Sequence, residues 1–282
     1  MRNYFCGWYM KCQNASGALA LIPAWHVSGG EKSCSLQLIT EEGAWKLLFP
    51  YDRFQKTKTG LFIDGNRFGR DGVRLDIRTD DVEMVGQLRF GPLTPIRYDI
   101  MGPFRYVPYL QCRHSIFSMA HTVNGHLRIN GICYEFTDGL GYMEGDRGRS
   151  FPREYLWTQC HFQDGSLMLS VAEIPFLGFC FTGVIGLIHY QGREYRLATY
   201  LGAKVLAIGN GEVTVVQGRR KLTVKLLEKR EYPLAAPEKG NMCRTIHESA
   251  SCRAQYCFRE GEKTVFSFTS DQASFENEYK QI

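Results

Sequence analysis

Apolar and polar residues alternate one for one along much of this chain. From Val73 to Arg78 the sequence reads apolar, charged, apolar, charged, apolar, charged. That period of two puts one face of a strand on a core and the other in water. Leu127-Arg128-Ile129 and Ile132-Cys133-Tyr134-Glu135-Phe136 repeat the pattern on either side of Asn130-Gly131, and Asn-Gly between alternating runs predicts a tight hairpin. Gly211 to Val215 and Lys221 to Leu226 form a second such pair around Gly218. Val265 to Phe268 gives a late strand. Helical periodicity is confined to the C-terminus, where Ser270 is placed to cap a short helix from Asp271 to Tyr279, with Phe275 and Tyr279 four apart. Many short strands at regular spacing predict an all-β protein, and antiparallel chains of this kind avoid open edges by closing their sheets.

The 282 residues suffice for two domains of moderate size. Prolines 92, 95, 103 and 108 cluster, and proline is poorly tolerated in central strands. A boundary is therefore expected there, with domains over residues 1–107 and 108–282. The halves share no evident sequence repeat. Ile174 to Tyr190 carries no Asp, Glu, Lys or Arg. It is short for a membrane span and is broken by Pro175, Gly178, Gly183 and Gly186, so it reads as barrel wall, and no stable membrane insertion is expected.

Composition narrows the picture in three ways. The formal charge of +5 is scattered. Its densest cluster, Arg219-Arg220-Lys221, follows Gly218 and reads as a solvated turn, and no basic groove interleaved with aromatics points to nucleic acid. The ten cysteines show no C-x-x-C and no zinc-finger spacing. The first residues lack the apolar core of a signal peptide, so a reducing cytoplasm and mostly free, buried cysteines are expected. Neither G-x-S-x-G nor a glycine run opening a helix occurs, which leaves a catalytic serine and a phosphate cradle without support.

Two segments carry a resemblance. One is Tyr4-Phe5-Cys6-Gly7-Trp8-Tyr9-Met10-Lys11. The other is Gly141-Tyr142-Met143-Glu144-Gly145-Asp146-Arg147-Gly148-Arg149-Ser150-Phe151-Pro152, followed by Tyr155-Leu156-Trp157-Thr158-Gln159-Cys160. Together they resemble the two signatures of the tocopherol cyclase family. The chain has Cys6 where the first signature often has Glu, and Asp146-Arg147 where the second often has Asn-Trp. The resemblance implies two lipocalin-like antiparallel β-barrel domains with an apolar cavity. It also implies a hydrophobic small-molecule ligand of isoprenoid or prenyl-quinol type.

Chemistry of that kind protonates a C=C bond, which needs an acid in dry surroundings but neither a metal nor any other cofactor. A carboxyl among apolar groups is held neutral by desolvation, and aromatic faces steady the carbocation that follows. Asp146 is the first candidate acid and Glu144 the second. Arg147 and Arg149 flank Asp146, and a guanidinium at close range would make it a structural ion pair instead. Glu173, after the strand Leu167 to Val171, is the third candidate, and it reads equally as a strand-end residue reaching solvent. Trp8, Tyr9, Tyr142, Tyr155, Trp157 and His121 are the candidate substrate-binding residues, although aromatics are also the commonest core fillers of β domains. His114 and His121 stand on opposite faces of one strand, and each reads first as a structural histidine. A non-catalytic carrier of a hydrophobic molecule is the alternative, because fold does not fix function.

Overall fold

The computed structural model describes residues 3–108, 110–176 and 178–279. Strand makes up 73% of the chain and helix 4%, as the period-two pattern requires. β1 (Tyr4–Asn14), β2 (Gly17–Ser28), β3 (Glu31–Ile39) and β4 (Ala44–Pro50) form an antiparallel meander. A 3-10 turn, Tyr51–Arg53, leads to β5 (Phe54–Lys56), β6 (Gly60–Ile63), β7 (Asn66–Gly69), β8 (Gly72–Arg78) and β9 (Glu83–Phe90). Then come β10 (Cys112–Ile129) and β11 (Ile132–Gly148), and β11 returns to pair antiparallel with β1. The order β4-β3-β2-β1-β11-β10-β9-β8-β7-β6-β5 makes a nearly closed barrel of eleven strands. Its two end strands, β4 and β5, are joined by the 3-10 turn alone.

The second sheet follows the same plan. β12 (Tyr155–Phe162), β13 (Gly165–Phe176), β14 (Phe179–Tyr190) and β15 (Arg193–Ala198) form the opening meander. A 3-10 turn, Thr199–Leu201, leads to β16 (Lys204–Gly209), β17 (Glu212–Gln217) and β18 (Arg220–Glu228). β19 (Tyr232–Glu238), β20 (Asn241–Glu260) and β21 (Lys263–Asn277) complete the chain's strands. β21 pairs with β12, as β11 does with β1, and β19 pairs with β20.

The chain divides into two compact units that are discontinuous in sequence. Unit 1 gathers the residues up to Arg97, His114–Ser150 and Leu234–Thr245. Unit 2 gathers Tyr98–Arg113, Phe151–Pro233 and the residues from Ile246 onward. The chain passes into unit 2 at Tyr98 and re-enters unit 1 at His114, and the first sheet runs on to Gly148. In unit 2, Arg196 anchors that segment. Its guanidinium donates to the carbonyls of Tyr98 and Asp99 at 2.9 and 3.1 Å and lies 3.6 Å from the centre of the Tyr98 ring. In unit 1, Gln37 holds the 234–245 segment by a two-way bond with the backbone of Ala235, at 2.8 and 3.0 Å.

Each unit has its own core. In unit 1, Met10, Cys12, Leu19, Leu36, Phe68 and Leu88 belong to one buried cluster; in unit 2, Leu156, Leu169, Val215, Tyr256 and Phe275 belong to another. The turns behave as their residues dictate. Asn130-Gly131 has φ of 48° and 84°, the left-handed pair of a type I′ hairpin. The Glu212–Gln217 and Arg220–Glu228 strands pair antiparallel around Gly218, as expected. The apolar stretch from Ile174 is the β13–β14 hairpin. Among the described residues no helix is long and apolar enough to cross a membrane. All ten cysteines are free, and five of them are buried.

The C-terminal helix does not form. Residues 271–277 continue β21, where Phe275 pairs with Thr158 of β12 and Ser249 of β20. Positions four apart share a face in a strand as well as in a helix, so Phe275 and Tyr279 did not discriminate between the two. Ser270 does accept a bond from the Gln272 amide at 3.1 Å, but beside a register shift in the β20–β21 ladder, not at a helix start. A lone nine-residue helix is marginal, whereas the strand satisfies its backbone on two sides. Phe275 is 2% exposed, so Phe275→Ala should cost about 3–5 kcal/mol in urea unfolding. A loss under about 1 kcal/mol would mean that this strand is not part of the core.

Candidate functional site

The site is assembled by alternation. Tyr142, Glu144 and Asp146 lie two apart on β11 and so share a face, while Met143 between them enters the unit 1 core. The β1–β11 register sets Tyr9 opposite Glu144, Lys11 opposite Tyr142 and Gly7 opposite Asp146. Tyr9 and Lys11 are therefore on the same face, away from Met10 and Cys12 in the core. Lys11 is wholly buried.

His114, near the start of β10, stands between the two carboxylates. Its Nδ1 is 3.0 Å from Oδ1 of Asp146, and its Nε2 is 3.1 Å from Oε2 of Glu144. The Tyr142 hydroxyl donates to the same Oε2 of Glu144. His114, Glu144 and Tyr142 are buried, and Asp146 is the group that keeps some exposure, 22% of its side chain. Burial works against a charge on the imidazole, but Glu144 and Asp146 outweigh it and hold His114 well above its ordinary range. Burial, reinforced by Glu144, pushes the Tyr142 phenol well up, so it remains a donor.

The ring is hydrogen-bonded to Asp146 through Nδ1, while its Nε2 lies within ion-pair distance of Glu144 without the alignment of a hydrogen bond. The arrangement bears on metal binding too. The donor atoms of His114, Glu144 and Asp146 all lie within 4.8 Å of one another, but the two carboxylates sit at opposite nitrogens of one ring. A cation at either nitrogen would meet one carboxylate and leave the other as an outer partner. The geometry fits a doubly paired imidazolium better than a metal centre.

Of the sequence candidates, Asp146, Glu144, Tyr142 and Tyr9 come together. Alternation sends Arg147 to the other face of β11, Arg149 lies one residue beyond that strand, and His114 is paired with Asp146. Trp8 and His121 lie on the core face. Trp8 packs edge-on against Phe117 at 5.5 Å. His121 lies 4.6 Å from Phe90 and is so close to Gly141 that a Cβ there would fall 2.2 Å from its Nε2. Burial lowers His121 to about 4, which makes it a neutral core residue.

Tyr155, Trp157 and Glu173 belong to unit 2. The Tyr155 hydroxyl donates to Glu276 at 2.5 Å. Glu276 lies across from Trp157 in one register and from Glu248 in the other, and both of these acids are buried. Glu173 accepts from the Thr182 hydroxyl at 2.6 Å, and burial with Glu173 nearby raises the Tyr279 phenol. The sequence reading did not single out Lys11, Glu248 or Glu276 and took His114 as structural. Their one signal was a charged residue inside a strand buried on both faces, and that became visible only with the pairing.

The chain matches no family profile and no curated protein sequence. Solved structures do resemble it over 99% of its length. CghA with Sch210972 superposes with a TM-score of 0.60 at 10% identity, over 89% of that chain. Kievitone hydratase from Nectria haematococca gives 0.56 at 8% identity, also over 89% of its length. A protein assigned as AttH from Nitrosomonas europaea gives 0.55 at 10% identity and 93% coverage. These neighbours have lipocalin-like folds, and at such identities the likeness is one of fold.

Two measurements test the charge state. By nitrogen-detected NMR near pH 6, His114 should be an imidazolium while His121 and His26, both lowered to about 4 by burial, are neutral. A neutral His114 there would remove the ion-pair reading. The raised value also predicts a sign for stability. The contribution of His114 is complete below its unfolded value of about 6.5 and is lost as pH rises through the folded value. Urea stability should therefore decline from neutral toward alkaline pH, and His114→Gln, about 3–5 kcal/mol less stable at neutral pH, should lose that slope.

Proposed function

We propose that this chain is an enzyme that delivers a proton to a C=C bond of a hydrophobic small molecule, with Asp146, His114, Glu144 and Tyr142 as its acid–base centre. The observation that carries the reading is the buried His114 ring, held between two carboxylates with a phenol behind one of them. Such an array costs several kcal/mol to desolvate, and a hydrocarbon core would be more stable, so a chemical use accounts for it better than a structural one. Strongly shifted groups gathered in one place are the usual mark of acid–base sites.

The roles follow from exposure and contacts. His114 stores the proton. Asp146, the most accessible member, passes it to the substrate carbon. Glu144 keeps the ring charged and fixed, with Tyr142 bonded to it. Protonation leaves a tertiary cation on the neighbouring carbon, and Tyr9, opposite Glu144 on the same face, is the aromatic ring we assign to steady it. A hydroxyl of the substrate, or a water molecule, then forms the new C–O bond and its proton returns to Asp146. Atoms and charge balance, with no change in oxidation state. Ring closure and hydration are two outcomes of this one step, and one structural neighbour is a hydratase by name. The isoprenoid or prenyl-quinol class of substrate rests on the two sequence signatures.

In deuterium oxide, the protein incubated with a panel of prenylated quinols and isoprenoid alkenes should yield products carrying one non-exchangeable deuterium. Asp146→Asn should lower that turnover by about 10²–10⁴-fold while ligand binding persists, and Glu173→Gln should leave it unchanged. A lipid bound without label would make the chain a carrier, and full activity in Asp146→Asn and Glu144→Gln would reject this centre.

A further inference from the structure

We propose that the β13–β14 hairpin is an arm that docks unit 2 on the surface of a lipid bilayer, with its aromatic tip in the headgroup–acyl boundary and no strand crossing the membrane. The register isolates the arm. β12 pairs with β13 only as far as Ala172, and β15 pairs with β14 only as far as Ile185. One further bond on each side ends the sheet. The Glu173 amide donates to the Glu154 carbonyl at 2.9 Å, and the Val184 amide donates to the Thr199 hydroxyl at 2.7 Å. Beyond these bonds, among the described residues, the two strands pair only with each other, up to Phe176 opposite Phe179. The tip thus stands roughly 10 Å clear of its sheet, about the depth to which interfacial elements enter a bilayer.

Alternation makes one face of the arm wholly apolar. Ile174 lies opposite Phe181 and Phe176 opposite Phe179, and the four share a side. Phe179 is 55% exposed. The rings run on to the base of the arm. Phe176 and Phe179 are 5.8 Å apart, Phe179 and Phe181 are 6.4 Å apart, and Phe181 stacks at 6.1 Å on Phe104 of the 3-10 turn Gly102–Tyr106. Phe104 meets Tyr200 at 6.3 Å, and the Tyr200 hydroxyl is fixed by the Ile100 carbonyl and the Arg196 guanidinium. A contiguous exposed apolar ridge of this kind marks an interaction surface.

Three features fit the ridge to lipid. Segments 102–106, 174–181 and 199–204 contain two cations, Arg105 and Lys204, and no acid. That balance, like the chain's net charge of +5, complements a phosphate-bearing surface. Arg105 reaches back to Asp99 at 3.7 Å and lies 5.3 Å from the centre of the Tyr106 ring, which is 79% exposed; exposed tyrosine with arginine beside it suits the membrane–water interface. The edge of the arm also disfavours a protein partner that adds a strand. The Glu173 amide points outward to β12, so Pro175, two residues on, removes the next outward donor. The free backbone edges need water, which keeps the tip in the boundary layer and out of the hydrocarbon centre.

The full chain should co-sediment with vesicles of phosphatidylcholine, and more tightly with vesicles of phosphatidylcholine mixed with phosphatidylglycerol. Added salt should remove the surplus on the mixed vesicles and leave the binding to phosphatidylcholine. Phe176→Ser and Phe179→Ser should each weaken binding to both vesicles about tenfold without changing urea stability, and Phe179→Trp should retain it. Leu48→Ser, at an apolar residue of unit 1 that is 65% exposed, should change nothing. Asp146→Asn should bind vesicles as the unaltered chain does, because the inference is independent of the acid–base centre. Failure of the chain to co-sediment with either vesicle, or binding that survives both phenylalanine substitutions, would overturn the proposal. A dimer in free solution that Phe179→Ser dissociates, with vesicle binding unchanged, would overturn it too and assign the ridge to a second copy of the chain.

Discussion

The pairing of β1 with β11 is the constraint on which the rest of unit 1 depends. It joins the first strand to the eleventh over the run from Phe5 to Gln13. One consequence is topological, because it completes the sheet path on which every other strand sits. The second is chemical, because the register chooses which side chains meet. A slip of one residue would send Glu144 and Asp146 into the apolar cluster and Met143 out of it. The apolar alternation that buries Met10, Cys12 and Met143 therefore also fixes Tyr9, Tyr142, Glu144 and Asp146 on the opposite face. Core packing and site geometry are one specification read from two sides.

That second face carries an unusual load for a β-sheet. A solvated face would hold scattered charges at little cost, but here a lysine, a histidine, a tyrosine and a glutamate are buried together. Glu144 and Asp146 together hold the His114 imidazole well above its ordinary range, and each has that ring within ion-pair distance. Removing one partner leaves an uncompensated charge out of water, which costs more than the pair contributes. The array is an interdependent unit, and the packing that surrounds it does not replace any of its members.

Much of the fold was legible from residues alone. The alternation at Val73 to Arg78 and the Asn130-Gly131 turn needed nothing beyond local chemistry, because strand faces and type I′ turns are decided within a few residues. Tyr142, Glu144 and Asp146 were singled out by the second signature, and alternation along β11 then sets them on one face. His114 was not, because its place opposite those carboxylates comes from sheet pairing that no local pattern encodes. Lys11 became informative only once β1 was set against β11. The C-terminal helix failed at the point where two periodicities coincide, at Phe275 and Tyr279. The shared plan of the two sheets left no sequence repeat, because a meander, a 3-10 turn and a returning last strand require only alternation and turn residues, which many sequences satisfy.

The return of β11 to β1 also has a bearing on how the chain is made. As it leaves the ribosome, β1 finds β2 at once, but its other edge has no partner until Gly148 has been synthesised. At ordinary elongation speeds that wait is on the order of ten seconds, during which Tyr4–Asn14 presents unpaired backbone to anything able to add a strand. β12 waits in the same way for β21. A chain interrupted before β11 is therefore not a smaller stable domain but an open sheet with an adhesive edge. Such fragments should depend on chaperones more than the finished protein does.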